Sequence, residues 1–296
     1  MGKYHDMMSN ELKIRRYSKK THETYLRCMR DFVKFHMKCP AELDLDDIKA
    51  YQVYMVNDKK ASYTVFNQSV CAIRFFYRNV MRKEWDIRHI PFQKKGKKLP
   101  DVLSVQEVSS LINAPDYIKH KAILQTLYST GMRLEELVNL SYKDINSDRM
   151  SVRIRQGKGR KDRYVMLSET LLETLYEYWR LSNPKPYKYL FPGRNNECRI
   201  HPRSVQHAVV MAGKKAGLNK RVTPHLLRHC FGTHLLEMGA NIRVIQQLMG
   251  HRSLSTTIIY THVAKNYINE TPSPLDSLNN PEEKKNGKGD RNGKYK

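Results

Sequence analysis

The chain is 296 residues long, and 53 Lys and Arg against 29 Asp and Glu give it a formal net charge of +24. Hydrophobic residues at 40 % supply real cores, which excludes a disordered chain, and no run of roughly 18 apolar residues exists, which excludes a bilayer-spanning helix. The basic excess is spread along the whole length, and a compact protein so charged points to a polyanionic partner, nucleic acid first.

The N-terminus has no apolar core of a secretory signal, and Asp6 stands where a myristoylation signal wants Ser or Thr. Cys28, Cys39, Cys71, Cys198 and Cys230 are odd in number and widely spaced, which suits neither a disulfide framework nor a zinc site. They read as small buried hydrophobes in a reducing cytosol, so the expected location is the cytoplasm, beside the nucleoid.

A first block, from about Tyr17 to Val80, reads as helices. Ser18 and Thr21 can cap a helix whose Tyr25, Cys28, Met29, Phe32 and Val33 recur at three- and four-residue steps, with Phe35 and His36 following. A second helix runs from Leu45 or Asp46 through Val56. A third covers about Ser62 to Met81, with Val65, Val70, Ile73, Phe76 and Tyr77 facing inward. No strand alternation interrupts this block, which is therefore expected to be all-α.

The stretch from Pro91 to Pro100 is bounded by prolines and carries Lys94, Lys95, Lys97 and Lys98. It reads as a linker, either solvated or lying along DNA phosphates. The second block, from about Val102 to Val263, mixes helices with one hairpin. Met150, Val152 and Ile154 alternate with Ser151, Arg153 and Arg155, and after the turn Gly157-Lys158-Gly159-Arg160 the run Tyr164–Leu167 reads as the return strand. From about Pro272 the chain turns polar, and about fifteen C-terminal residues are expected to be disordered.

Breaking a phosphodiester without a metal requires a nucleophile, positive charge on the non-bridging oxygens, a proton donor for the leaving oxygen and a base. Four local sequences of the second block hold such groups. In Tyr128-Ser129-Thr130-Gly131-Met132-Arg133, the glycine permits a tight turn and Arg133 sits at a helix start. A cation there opposes the helix dipole, which a bound phosphate would offset; the plainer reading is a surface pair with Glu135 or Glu136. In Thr223-Pro224-His225-Leu226-Leu227-Arg228, Thr223 can cap the helix, Pro224 can open it, and His225 and Arg228 share one face. Lys158, between glycines on a projecting turn, is a plausible acid for a leaving alkoxide, although a solvated turn lysine is commoner.

The fourth runs from Leu248 to Val263. Its first helix ends at Gly250, His251 follows, and Ser255 or Thr256 can cap the next helix. Ile258 and Ile259 are expected to pack, which leaves Tyr260 on a different face. Each motif alone is weak, and a single tyrosine is commonly a core or groove phenol.

Taken together, the order Arg133, Lys158, His225, Arg228, His251, Tyr260 resembles the catalytic domain of the tyrosine recombinase (phage integrase) family. The likeness runs through "LPDVLSVQEVSSLI", "STGMRLEELVNL", "GKGRKDRYVMLS", "HLLRHCFGTHLL" and "LMGHRSLSTTIIYTHV", and the first block is similar to the family's helical core-binding domain. The start of the chain leaves no room for an arm-site domain, so it is similar to the simpler Xer-like and integron-integrase-like members. The long insertion of integron integrases is not evident.

The resemblance implies a mainly α protein. Residues 1–92 would form a helical, SAM-like core-binding domain and 93–101 a basic linker. Residues 102–270 would form an α+β catalytic domain, mostly helical with a small sheet, and 271–296 a tail. It implies a site-specific recombinase that cuts and rejoins DNA through a 3′-phosphotyrosyl bond. Tyr260 would attack, Arg133 and Arg228 would clamp the phosphate, Lys158 would protonate the leaving oxygen, His225 would act as acid or base, and His251 would bond the phosphate. Glu136 would orient the site from behind.

Lys94, Lys95, Lys97, Lys98, Arg160 and Lys161 are expected DNA contacts. No metal, other cofactor or ATP is implied. The partners would be duplex DNA carrying recombination sites, a tetramer of this chain on two duplexes, and accessory DNA-bending proteins. The two blocks would close around DNA as a clamp, with affinity falling steeply with salt. A C-terminal stretch around Asn266–Leu278 would dock on a neighbour or pack in cis. The competing readings are a type IB topoisomerase and a DNA-binding architectural protein with a dead catalytic domain.

Overall fold

Helix-starting side chains and apolar periodicity account for most of the architecture. The computed structural model describes residues 2–85, 89–94, 101–155, 162–194, 196–251 and 253–262. Residues 1–97 and 98–296 form two units.

The first unit holds α1 (Gly2–Ile14), α2 (Lys19–His36), α3 (Leu45–Asn57) and α4 (Tyr63–Phe75), the last running into a π-helical turn at Phe76–Val80. Ser18 caps α2 through the Thr21 N–H, Asp44 and Asp47 form a reciprocal capping box on α3, and Ser62 caps α4. Met8, Leu12, Phe32, Ile48, Tyr51, Ile73 and Phe76 are among its buried core. The unit is all-α among the described residues, as expected, but begins earlier than Tyr17. α1 buries Met8 and Leu12 through a four-residue recurrence that starts at Tyr4. Val65 is a correction: it is exposed, because the buried face of α4 runs through Phe66, Ser69, Val70 and Ile73, one position round the helix. Phe35 is likewise exposed and stacks on Tyr54 at 4.5 Å.

The start of the lysine-rich stretch is held to this unit. Arg74 donates to the Ile90 carbonyl, Gln52 Nε2 to the Pro91 carbonyl at 3.0 Å, and the Gln93 N–H to Asn67 Oδ1 at 3.0 Å. Lys94 is exposed.

The second unit holds α5 (Val105–Asn113), α6 (Ile118–Thr130), α7 (Leu134–Val138), α8 (Glu169–Leu181), α9 (Pro202–Lys215), α10 (Pro224–Glu237), α11 (Ile242–Met249) and α12 (Ser255–Ile258). Strands β1 (Ile145–Asn146), β2 (Ser151–Ile154) and β3 (Arg163–Met166) form an antiparallel sheet in the order β1-β2-β3. The expected hairpin is thus a three-stranded sheet, since β1 is too short to show alternation. Val152 pairs with Val165, both buried, while Arg153 and Tyr164 pair on the outer face.

α6 is the buried axis, with every residue from Ala122 to Leu127 inside. α10 packs on it and also ties down the start of the unit. His234 Nε2 donates to the Leu103 carbonyl at 2.9 Å, which leaves Nδ1 to accept from Tyr128 Oη at 2.9 Å. All five cysteines are free. Cys28 and Cys230 are buried as expected, Cys39 and Cys71 are half-buried, and Cys198 is exposed on a surface loop, which corrects the uniform expectation. Among the described residues no helix is long and apolar enough to cross a membrane.

Candidate active site

α6 ends at Gly131 in a left-handed turn that feeds α7. Arg133 is the N-cap of α7. Its backbone N–H donates to Glu136 Oε2 at 2.8 Å, its Nη1 to Glu136 Oε1 at 2.9 Å, and its Nη2 to the Gly250 carbonyl at 3.2 Å. Glu136, in the first turn, offsets the unfavourable position of a cation at a helix start. Burial alone would raise the Glu136 pKa. The hydrogen bonds and charge of Arg163, then those of Arg133, outweigh it and bring the carboxyl down to about 2.

Arg228 lies one turn into α10, which is opened by Thr223 and Pro224 as expected. It is 2 % exposed. Nη1 donates to the Gly131 carbonyl at 2.5 Å and Nη2 to the Met249 carbonyl at 2.6 Å. Both acceptors lie at the C-terminal ends of helices, the ends that welcome a cation. Burial, then the charge of Arg133, lowers its pKa to about 10. The two guanidinium groups thus converge on the turns after α6 and α11.

Two histidines of α10 extend the site. The His225 and His229 rings meet edge to face at 4.4 Å between centroids, and His229 lies 5.7 Å from the Tyr260 ring. Partial burial, then the charges of Arg228 and Arg133, lowers the His225 pKa. For His229, burial, then His225 and Arg228, lowers it to about 4. His229 Nδ1 is buried without a hydrogen-bond partner. His251 follows Gly250 and shares a 2.9 Å hydrogen bond between Nδ1 and Thr257 Oγ1. Burial, then Arg228 and Arg133, lowers its pKa to about 4, so both imidazoles are neutral at pH 7.

Tyr260 lies in a 3-10 turn, Ile259–His262, directly after α12. Its ring is 2 % exposed, parallel to that of His251 at 6.3 Å, and packed with Phe231, Leu236, Ile245 and Met249. Here the structure corrects the sequence reading: Ile258 and Ile259 are exposed and Tyr260 is the buried side chain. Tyr260 stands three residues after the fully buried Thr257, and helical positions three apart share a face, so both point inward. Burial raises the phenol pKa to about 12, against the opposing pull of Arg228 and Arg133.

Five of the six sequence candidates therefore share one pocket. Lys158 lies outside the described residues, as do Lys95, Lys97, Lys98, Arg160, Lys161 and the 266–278 stretch. Three neighbours were missed: His229, Thr257 and Arg163. Arg163 had a signal, because it stands on the inward face of β3, two residues before the buried Val165. Among the described residues, no group of three or more His, Cys, Asp or Glu could hold a metal ion.

Comparison with known proteins gives a consistent picture. The chain matches the phage integrase family over residues 101–267 and the SAM-like N-terminal domain of phage integrases over residues 5–87. A protein of Sinorhizobium fredii whose name places it among the integrases and recombinases is 43 % identical over 275 residues, covering 93 % of this chain and 89 % of its own length. A tyrosine recombinase of Thermosipho africanus is 34 % identical over 276 residues, covering 89 % and 96 %. In fold, the chain is similar to the XerH site-specific recombinase solved on its palindromic difH substrate, in a post-cleavage complex. The TM-score is 0.72 at 22 % identity, over 90 % of this chain and 82 % of that one.

Proposed function

The chain belongs to the phage integrase family of tyrosine recombinases, and from that membership we propose that it cuts and rejoins DNA at specific sites through a covalent bond to Tyr260. The Tyr260 phenol oxygen attacks the scissile phosphorus, the P–O5′ bond breaks, and a 3′-phosphotyrosyl ester remains with a free 5′-hydroxyl. Attack by that or another 5′-hydroxyl reverses the step. The ester keeps the energy of the original bond, so the cycle needs neither ATP nor a metal ion.

Arg133 and Arg228 grip the non-bridging oxygens, for which planar forks suit better than ammonium groups. Their fixed positions cost no reorganisation as negative charge builds. Neutral His225 is available to take the phenol proton, His251 donates to the phosphate, and Lys158 supplies the proton to the leaving oxygen. Glu136 holds Arg133 in place. Lys94, Lys95, Lys97, Lys98, Arg160 and Lys161 contact the DNA backbone. Four copies act on two duplexes, in the cytoplasm, with DNA-bending helpers where a site demands them.

The observation that carries this reading is the pocket itself: a buried phenol between two neutral imidazoles, beside the turn whose carbonyls hold both arginines. A phosphate cannot reach a phenol that is 2 % exposed, so the turn at Ile259–His262 must swing outward on DNA. The test uses plasmids carrying two copies of a candidate site taken from DNA that adjoins the gene, in buffer with chelator and no nucleotide. Recombinant products are expected. Relaxation of plasmids that lack the site, without recombination, would point to a topoisomerase instead.

A further inference from the structure

The guanidinium of Arg163, carried on β3, bonds two other elements of the second unit at once. Nη1 and Nη2 meet Glu136 Oε1 and Oε2 on α7 at 2.9 and 2.7 Å, and Nε donates to the Leu248 carbonyl on α11 at 2.8 Å. The stem belongs to β3, which follows Lys158 by a few residues in sequence. The side chain is only 11 % exposed. We propose that Arg163 is a positioning residue for the reaction: it locks Glu136, and through it Arg133, in register with the turn that carries His251.

The hydrogen bonds argue for this role. Both oxygens of Glu136 are shared between Arg133 and Arg163, so a single carboxylate fixes both guanidinium planes. Arg133 in turn donates to Gly250, and Arg163 to Leu248, two residues earlier near the end of α11. Rotating Arg163 therefore moves the phosphate clamp and the His251 turn together. Gly250 is shaped for it. Its φ of +61° disfavours any side chain, and a β-carbon there would lie 3.2 Å from Arg163 Cδ and Nη1. A lysine could supply the charge, but it could not grip both carboxylate oxygens while bonding Leu248.

Stability alone does not explain the arrangement. A buried ion pair is weak support for a fold, since well-packed apolar residues usually serve as well or better. A rigid supporting shell matters where a reacting group must be held to a fraction of an ångström.

This inference rests on the proposed reaction, and one experiment separates the two. Nicked suicide duplexes, made from a site at which the parent protein recombines plasmids, are cleaved in single turnover at saturating protein. Tyr260→Phe and Arg133→Ala run in parallel with Arg163→Lys, Arg133→Lys and the Lys/Lys double variant. DNA affinity and thermal melting are measured for each. Arg163→Lys should slow covalent trapping by about 100-fold with DNA affinity retained, the scale expected for a displacement of about 1 Å. The double variant should be scarcely slower than Arg133→Lys alone, because the two arginines act as a unit.

Parent-rate cleavage by Arg163→Lys, or losses that multiply in the double variant, would overturn the inference. If Arg163→Lys does not fold, Arg163→Gln, which keeps one donor to Glu136, replaces it with the same two outcomes. Trapping by Tyr260→Phe or parent-rate trapping by Arg133→Ala would instead overturn the reaction assignment.

Discussion

The ring of Tyr260 closes over Gly232 so tightly that a β-carbon there would come within 2.8 Å of Cε2 and 2.9 Å of Cζ. The bare backbone of α10 is thus the seat of the proposed nucleophile. Met249 Sδ, at 3.0 Å from the same point, closes the other side.

Replacing Gly232 with alanine should dislodge Tyr260. Overpacking of this kind costs about 1–3 kcal/mol. The expected result is a lower urea midpoint with DNA binding intact. A Gly232→Ala protein with its parent's urea midpoint would show that the ring is not held there.

The two proposed clamp arginines should differ in what their loss does. Each removal should slow cleavage by about 10²–10³-fold, the usual cost of one preorganised donor. Arg228→Ala also strips the buried carbonyls of Gly131 and Met249 of their donors, at about 1–3 kcal/mol for each group left unpaired. Arg133 has a side chain 28 % exposed, and its loss should leave stability closer to the parent. Denaturant titration beside single-turnover trapping checks this, and equal destabilisation by the two variants would count against it.

Acid should unlock the Glu136 pair within a defined window. The folded-state pKa of about 2 lies below the ordinary 4.5, so the stabilisation is complete above pH 4.5 and is lost as pH falls toward 2. The amount is on the order of 3 kcal/mol. Stability curves from pH 5 to 2 should therefore fall more steeply for the parent than for Glu136→Gln. Parallel curves would remove the assigned role of the carboxylate in holding the arginines.

A second, higher window belongs to the imidazoles. His229 and His251 titrate near 4 in the folded protein and near 6.5 when unfolded, so the unfolded chain takes up protons first. The imidazole contribution to stability should be full above pH 6.5, decline as pH falls through that range, and level off below 4. His229→Asn should flatten the decline, as measured by urea unfolding at pH 7, 5.5 and 4.5. An unchanged slope would mean that His229 is not held neutral.

Much of this was legible in the chain. Caps and apolar spacing announced α2 and α10, because local side-chain chemistry sets those starts: Ser18 and Thr223 each accept from the first turn that follows. α3 and α4 were read as helices without their caps, which are Asp44 and Ser62. Arg133, His225, Arg228, His251 and Tyr260 were legible because their order matched a known family, not because any one motif demanded chemistry. The burial of Tyr260 was hidden, since the more apolar Ile258 and Ile259 beside it read as the inward side chains, and both are exposed. β1 was hidden by its length of two residues. The role of Arg163 required a contact across 85 positions of sequence, from β3 to Leu248, which periodicity cannot reveal.

The central claim is that one phenol forms the bond to DNA. Parent and Tyr260→Phe proteins should be incubated with a nicked suicide duplex bearing a recombination site, then resolved on a denaturing gel, with the adducted peptide sequenced. The account predicts that both proteins bind the duplex and that only the parent forms an adduct, on the peptide containing Tyr260. An adduct of undiminished yield in Tyr260→Phe, or one mapped to another residue, would contradict it.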